Sequence, residues 1–181
     1  MTDLIVDGRD SVFIDLKFHF LRLIEMMVIR DILPEEIPVL DDFLYEAIFI
    51  PEGVPAPPRS IIWNEDLQVY VRDFGHCPDD RCLVADVDGK IVGAVWTRMM
   101  DDYGHIDNQT PSLAISLFTE YRGRGIGTEL LRRMLERLRS DGYKRVSLSV
   151  QKANYALRMY EKTGFRTVAD RGEEVLMICW L

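Results

Sequence analysis

Residues 122–128 read Arg-Gly-Arg-Gly-Ile-Gly-Thr and stand between an apolar stretch, residues 113–119, and a long helical pattern. The three alternate glycines let the backbone turn tightly and approach a ligand closely, because glycine has no Cβ. The first N–H groups of the helix that follows have no intrahelical partner and lie at the positive end of its dipole. Such a turn favours a phosphate or pyrophosphate group, and the two arginines add favourable charge.

Two common phosphate-binding patterns do not fit this turn. The nucleoside-triphosphate loop needs a Lys-Ser/Thr pair after the glycines, and none follows here. The dinucleotide pattern Gly-x-Gly-x-x-Gly differs in spacing, and its usual place is the first strand–helix unit rather than a late one. Nucleotide binding by the glycine turn is therefore the weakest of the alternatives, and competition of ATP against another ligand would reveal it.

Further helices and strands are predicted on the C-terminal side of the glycine turn. An apolar stripe at helical spacing predicts a long helix ended by Asp141-Gly142. A strand is predicted over 146–150, a helix over 155–163 with Asn154 as its N-cap, and a closing hairpin from 165–169 and 174–180. The residues of the helical stripe are Ile126, Leu130, Leu131, Met134, Leu135 and Leu138.

On the N-terminal side, Asp88-Gly89 between two apolar runs predicts a hairpin of strands 82–87 and 91–100, and a polar loop follows over 101–111. Strands are also expected over 12–20 and 27–32, a helix starting at Pro34, a proline-rich loop over 51–58 and a short helix within 60–73. This order predicts a mixed α/β (α+β) fold, a mostly antiparallel sheet flanked by helices on both faces. Residues 1–26 are interpreted as an N-terminal extension of unknown role, and 27–181 as the domain.

The composition excludes several classes of function. With 22 basic and 30 acidic residues among 181, the net charge of −8 disfavours nucleic acid and suits cationic ligands. No run reaches the roughly 18 apolar residues of a membrane span, and no secretory signal is recognised, so a cytoplasmic protein without a membrane partner is expected. The three cysteines, Cys77, Cys82 and Cys179, are too few for a disulfide scaffold. A zinc site would need a second pair of ligands at zinc spacing besides His76, Cys77 and Cys82. No such pair is present in the sequence, so no metal is expected.

A second motif follows the predicted strand 146–150: residues 154–165 read Asn-Tyr-Ala-Leu-Arg-Met-Tyr-Glu-Lys-Thr-Gly-Phe. Together with the Arg-Gly-Arg-Gly-Ile-Gly turn, in this order and at this separation, it resembles the Gcn5-related N-acetyltransferase (GNAT) superfamily. The resemblance covers residues 113–165 strongly and 27–181 in the order of elements.

The resemblance implies acetyl-CoA as the donor of an acetyl group, without a metal. It implies that the amides around the glycine turn hold the pyrophosphate, that the end of the preceding strand pairs with the pantetheine arm and that Asn154 contacts this arm. It places Tyr160 near the sulfur as the general acid. The implied cofactor-binding residues are Ile115, Ser116, Leu117, Arg122, Gly123, Arg124, Gly125, Ile126, Gly127, Thr128, Asn154 and Tyr160.

The implied reaction is direct attack of a primary amine on the thioester in a ternary complex. Only about one in 10³ lysine-like amines is neutral at pH 7, so a proton must be removed. The base is open. Where one branch of the family has a glutamate, this sequence has Ser149, which cannot serve as that base. Glu120 lies beside the turn, and Asp101, Asp102, His105 and Asp107 could line the acceptor side.

The nature of the acceptor is open as well. A small molecule, a peptide or a protein could carry the amine, and a homodimer is compatible with the resemblance. The alternative from another class is a non-catalytic acyl-CoA-binding sensor or regulatory module, which would bind acetyl-CoA and release no CoA with any amine.

Overall fold

The computed structural model describes residues 27–181, so the strand expected over 12–20 and the role of residues 1–26 lie outside it. Within the described residues the chain forms a seven-stranded sheet in the order β1-β2-β3-β4-β5-β7-β6. Neighbouring strands are antiparallel except β4 and β5, which are parallel. The strands are β1 Met27–Asp31, β2 Arg81–Val87, β3 Lys90–Arg98, β4 Ser112–Leu117, β5 Arg145–Gln151, β6 Arg166–Asp170 and β7 Glu174–Trp180.

Helices cover both faces of the sheet. The α-helices are α1 Leu40–Ala47, α2 Glu65–Gln68, α3 Ile126–Ser140 and α4 Leu157–Lys162, and 3-10 helices span Pro34–Val39, Arg59–Trp63 and Thr119–Tyr121. The mixed, mostly antiparallel α/β fold expected from the sequence is confirmed. No helix among residues 27–181 is long and apolar enough to cross a membrane.

Each face of the sheet has its own apolar core. The core between α3 and the sheet contains all six residues of the apolar stripe of α3, which are buried, together with the inward side chains of β5 and β7. Under α1, the completely buried Phe43 and Trp96 pack with Leu40 and Ile62. The Trp96 indole N–H donates to the Tyr70 carbonyl oxygen at 3.1 Å, which ties the segment after α2 to the sheet.

Turn chemistry places the main boundaries where the sequence predicted them. Asp88 and Gly89 both have positive φ, 53° and 79°, as a two-residue hairpin turn of this kind requires. Gly142 has φ 89° just after α3, which ends the helix. The helix expected from Pro34 is divided instead: Pro38 lies in a 3-10 segment, and the α-helix begins at Leu40.

The helix predicted over 155–163 starts later than expected. Asn154 is not its N-cap: the Asn154 Oδ1 accepts the Ala156 N–H at 2.9 Å, and its carbonyl oxygen accepts the Leu157 N–H at 3.1 Å. The asparagine therefore forms a turn before the helix, as Asx side chains commonly do. The α-helix begins at Leu157, with Ala156 in the cap position.

One irregularity of the sheet positions the site. The parallel strands β4 and β5 pair at a single position, Ser112 with Ser147. Beyond that pair they diverge toward their carboxyl ends, so a gap opens between them.

Candidate active site

A cleft of about 1170 Å³ occupies the gap between β4 and β5. Both diverging strands line it, together with the glycine turn before α3 and the start of the α4 segment. Its opposite wall comes from the end of α1 and from the segment around α2, including Tyr70. The sequence-predicted residues in its lining are Ile115, Ser116, Leu117, Arg122, Gly123, Gly125, Gly127, Thr128, Asn154 and Tyr160.

The edge of β4 offers backbone hydrogen bonds to this gap. Opposite residues of an antiparallel pair alternate between those that exchange hydrogen bonds and those that do not. The Phe118 N–H donates to the Val92 carbonyl oxygen at 3.1 Å, so the backbone groups of Ser116, two residues earlier, also face β3. The N–H and C=O of Ile115 and the N–H of Leu117 therefore point into the gap.

Ser116 does not share this orientation. Its hydroxyl donates to the Phe43 carbonyl oxygen at 2.6 Å, and the residue is buried. Of the three β4 residues expected to contact the cofactor arm, Ile115 and Leu117 are oriented for it and Ser116 anchors α1 to the sheet.

The glycine turn presents a row of backbone donors. Within the described residues, none of the six N–H groups from Gly123 to Thr128 donates to a carbonyl or side-chain oxygen; the first bond of α3 is Glu129 N–H to the Gly125 carbonyl at 3.1 Å. These groups lie at the positive end of the α3 dipole, where an anion is stabilised. The amide of Ile126 belongs to the row, although its side chain is buried in the core.

Backbone conformation requires glycine at two positions of the turn, and close packing against the sheet requires it at the third. Gly123 and Gly125 have φ of 73° and 79°, and a Cβ on either would meet no atom within 4 Å. They are needed for the backbone conformation, and the space beside them is open for a ligand. Gly127 lies against the sheet instead, because a Cβ there would stand 3.1 Å from Leu117 Cδ1.

The arginines of the turn are placed differently from the sequence expectation. The Arg122 guanidinium is already paired: it donates to the Glu46 carboxylate at 2.7 Å and to the Leu117 carbonyl oxygen at 2.9 Å. It joins α1 to the turn and also lines the cleft, so its charge there is shared with Glu46. Arg124 lies over the Tyr121 ring, 5.8 Å from the centroid, and is outside the cleft lining.

Tyr160 reaches the cleft from α4 on the α3 face of the sheet. The residue is 8% exposed, and its ring packs edge-on against Phe165 at a centroid distance of 5.7 Å. Among the described residues its hydroxyl has no hydrogen-bond partner. Burial, with a smaller effect of the Tyr155 phenol, raises the pKa of Tyr160 above 10.0, so the hydroxyl stays protonated at neutral pH and can donate.

The acidic loop 101–107 is used within the protein. Asp102 accepts hydrogen bonds from the Tyr70 hydroxyl at 2.8 Å and from the Ser112 hydroxyl at 2.6 Å. Asp107 is paired with Arg145, and the His105 Nδ1 lies 3.0 Å from the Met100 carbonyl oxygen. Asp101, Asp102, His105 and Asp107, which the sequence suggested for the acceptor side, are not among the residues that line the cleft.

Glu120, the other candidate for the base, and Ser149, at the position of the family branch's glutamate, differ in position. Glu120 is exposed, 3.8 Å from Lys90, and outside the cleft. Ser149 lies in the cleft, and its Oγ is buried without a hydrogen-bond partner among the described residues.

The carboxylates that do line the cleft were missed in the sequence. Among residues 27–181 they are Glu46, Asp66 and Glu174. Glu174 is brought there by the pairing of β7 with β5, opposite Gln151. The only sequence signal for it was its position as the first residue of the last strand, directly after a Gly-containing turn.

The cysteines are not part of the site. Cys77 is exposed, while Cys82 and Cys179 are buried, and none of the three lines the cleft. Residues 27–181 contain no cluster of three metal-binding side chains.

Comparison with known proteins agrees with this geometry. Residues 48–165 match the family model of the acetyltransferase (GNAT) family. An acetyltransferase of Pectobacterium atrosepticum is 33% identical over 107 residues, which are 59% of this chain and 71% of that protein. Fold, cleft and relatives define an acyl-CoA-dependent acetyltransferase. The chain belongs to the acetyltransferase (GNAT) family.

Solved structures show the same fold at low sequence identity. The PaiA N-acetyltransferase of Thermoplasma acidophilum, in complex with coenzyme A, superposes with a TM-score of 0.63 at 20% identity, covering 86% of this chain and 99% of that one. The ribosomal-protein-S18-alanine N-acetyltransferase of Escherichia coli gives 0.61 at 16% identity, covering 86% and 94%.

Proposed function

We propose that this protein transfers an acetyl group from acetyl-CoA to a primary amine by direct attack within a ternary complex. The observation that carries the proposal is the arrangement of one cleft: a strand edge with free backbone groups, the glycine turn with its row of free amides and a protonated tyrosine all line it. These three features correspond to the arm, the pyrophosphate and the leaving sulfur of an acyl-CoA.

The residues present fit such a co-substrate. Gly123 and Gly125 leave open space beside the donor row, as a bulky pyrophosphate requires. Ile115 and Leu117 can pair with an amide-containing arm as if it were an added strand. Asn154 lines the same wall, and its side-chain NH₂ remains available after its Oδ1 has bonded Ala156.

Two groups of this chain have chemical roles in the proposal. The Ile115 N–H polarises the thioester carbonyl, because a fixed donor stabilises the negative charge that develops on that oxygen. Tyr160 donates its proton to the departing sulfur and regains one from solvent. Acetyl-CoA supplies the activated acetyl group. A covalent enzyme intermediate is unnecessary, and none of the three cysteines, all of which lie in the described residues, lines the cleft.

A free-thiol release assay with acetyl-CoA across amines and peptides tests the proposal. We expect thiol release that depends on the amine, together with a mass increase of one acetyl group on the acceptor. Binding of acetyl-CoA without thiol release for any acceptor would instead support a sensor, and absence of acetyl-CoA binding would refute the proposal entirely.

A further inference from the structure

The lining of the cleft has more acidic than basic side chains. Four charged side chains line it among the described residues: Glu46, Asp66, Arg122 and Glu174. Glu46 and Arg122 pair with each other at 2.7 Å. Asp66 and Glu174 form no ion pair or side-chain hydrogen bond with a described residue. The cleft therefore has two carboxylates, those of Asp66 and Glu174, that no described basic group pairs with.

Strand geometry puts Glu174 on the opposite face of the sheet from Tyr160. The side chains of Leu148 and Val150 belong to the core under α3 that includes Tyr160. Side chains alternate along a strand, so Ser149 faces the other way, and so does Glu174, whose backbone pairs with Gln151. The gap between β4 and β5 thus has the acid on one side and a carboxylate on the other.

Neighbouring charged groups leave the Glu174 carboxylate available. Arg171, in the turn before β7, donates to the Tyr103 carbonyl oxygen at 2.6 Å. Lys152 is paired with Asp170 at 2.7 Å. No cation among the described residues forms an ion pair with Glu174.

Tyr70 lines the same cleft as Glu174 and is held in place by a hydrogen bond. Its hydroxyl donates to Asp102, which also accepts from Ser112 at the apex of the gap. Burial and the charge of Asp102, with smaller effects of Tyr103 and Glu174, raise the pKa of Tyr70. The phenol therefore stays neutral, and Tyr70 and Glu174 line the same cleft.

Ser149 gives an independent sign that a ligand belongs here. It lies two residues beyond Ser147, on the same face as Glu174, and its buried Oγ lacks a partner among the described residues. A buried hydroxyl normally has a hydrogen-bond partner. An N–H donor of an acceptor amine would supply it.

The geometry points to an acceptor that is a primary alkylammonium without a neighbouring carboxylate, with Glu174 as the base that receives its proton. This inference rests on the proposed function. The proton passes from R–NH₃⁺ to the Glu174 carboxylate and then to solvent. The amine lone pair forms the C–N bond as the C–S bond breaks. The nitrogen loses a second proton to solvent, and the sulfur receives one from Tyr160, which gives the amide and free CoA thiol.

The test uses 1,5-diaminopentane and lysine as probes, because lysine is the same diamine with one added carboxylate. For the wild-type protein, kcat/KM for the diamine should exceed that for lysine by at least about tenfold, because like charges repel in a partly desolvated cleft. Glu174→Gln should lower kcat/KM for the diamine at pH 7 by roughly 10² or more, the usual contribution of general base catalysis. The deficit should shrink toward pH ~10.4, where the amine loses its proton without help.

Glu173→Gln is the matched control, since Glu173 is the exposed neighbour outside the cleft, and its kcat/KM should stay at the wild-type value. Calorimetric binding of acetyl-CoA shows that each variant is folded. Wild-type protein that binds acetyl-CoA but leaves the diamine unreacted, or uses lysine equally well, overturns the acceptor class alone. A Glu174→Gln variant with the wild-type pH profile overturns the role of Glu174. Failure of the wild type to bind acetyl-CoA refutes the proposed function itself.

Discussion

Substitution of Gly125 by alanine should separate the stability of the glycine turn from its binding role. Gly125 has φ +79°, a left-handed conformation that costs an alanine about 1–2 kcal/mol. Gly142, at the other end of α3, has φ +89°, and at both sites an added Cβ would meet nothing within 4 Å. Gly142→Ala therefore carries the same backbone penalty far from the cleft and is the matched control.

Both variants should lose a similar amount of stability. In a protein of this size, about 1–2 kcal/mol corresponds to a fall in Tm of roughly 2–8 °C, measured by thermal unfolding. Only Gly125→Ala puts a methyl group beside the row of free amides. Loss of one charge-assisted hydrogen bond costs about 1.5–3 kcal/mol, so its Kd for acetyl-CoA should rise roughly 10- to 150-fold by calorimetry.

The comparison has a clear refuting result. If Gly125→Ala binds acetyl-CoA as tightly as Gly142→Ala, the turn does not hold the pyrophosphate. If Gly125→Ala alone loses stability, the assumption of equal backbone penalties is wrong.

Three further predictions concern single side chains. Tyr160→Phe should lower kcat roughly 10²-fold or more while the Kd of acetyl-CoA stays within a few-fold, since only proton donation is removed; unchanged kcat would contradict its role as acid. A thiol reagent should label Cys77 rapidly in the native protein and the two buried cysteines only after unfolding. Hydrogen bonds from Thr110 and Gln109, with Arg145 nearby, lower the pKa of Asp107 below 3.8. The ionised carboxylate therefore stabilises the folded protein above pH 3.8, and this contribution is lost as the pH falls further. Melts should show Asp107→Asn less stable than the wild type at pH 7, with the difference closing in acid.

The sequence predicted those features that depend on local chemistry. The apolar stripe of α3, the Asp88-Gly89 turn and the end of α3 at Gly142 follow from spacing and from glycine, and each is confirmed. The helix after Asn154 was placed two residues early, because an asparagine that forms a turn and one that caps a helix have the same sequence signal.

Long-range pairing explains what the sequence did not show. Arg122 was interpreted as a phosphate ligand because Glu46, its partner, is 76 residues away in the chain. Asp102 was placed on the acceptor side, although Tyr70 and Ser112 occupy its carboxylate. In each case the charge is evident in the sequence, but its counterpart is fixed only by the fold.

The location of the cleft follows from the unit β4–α3–β5. Two parallel strands need a crossover, and a helix that returns over the sheet must begin beyond the carboxyl end of the first strand. The glycine turn at the N-terminus of α3 therefore opens onto the carboxyl ends of β4 and β5, where these strands have already separated beyond Ser112 and Ser147. Free strand edges and free helix amides consequently face the same space. This unit fixes where an acyl-CoA can bind, whereas the acceptor side depends on β7 and on the segment around α2. Variants of the glycine turn should change donor binding for every acceptor, and those of Glu174 should change which amines react.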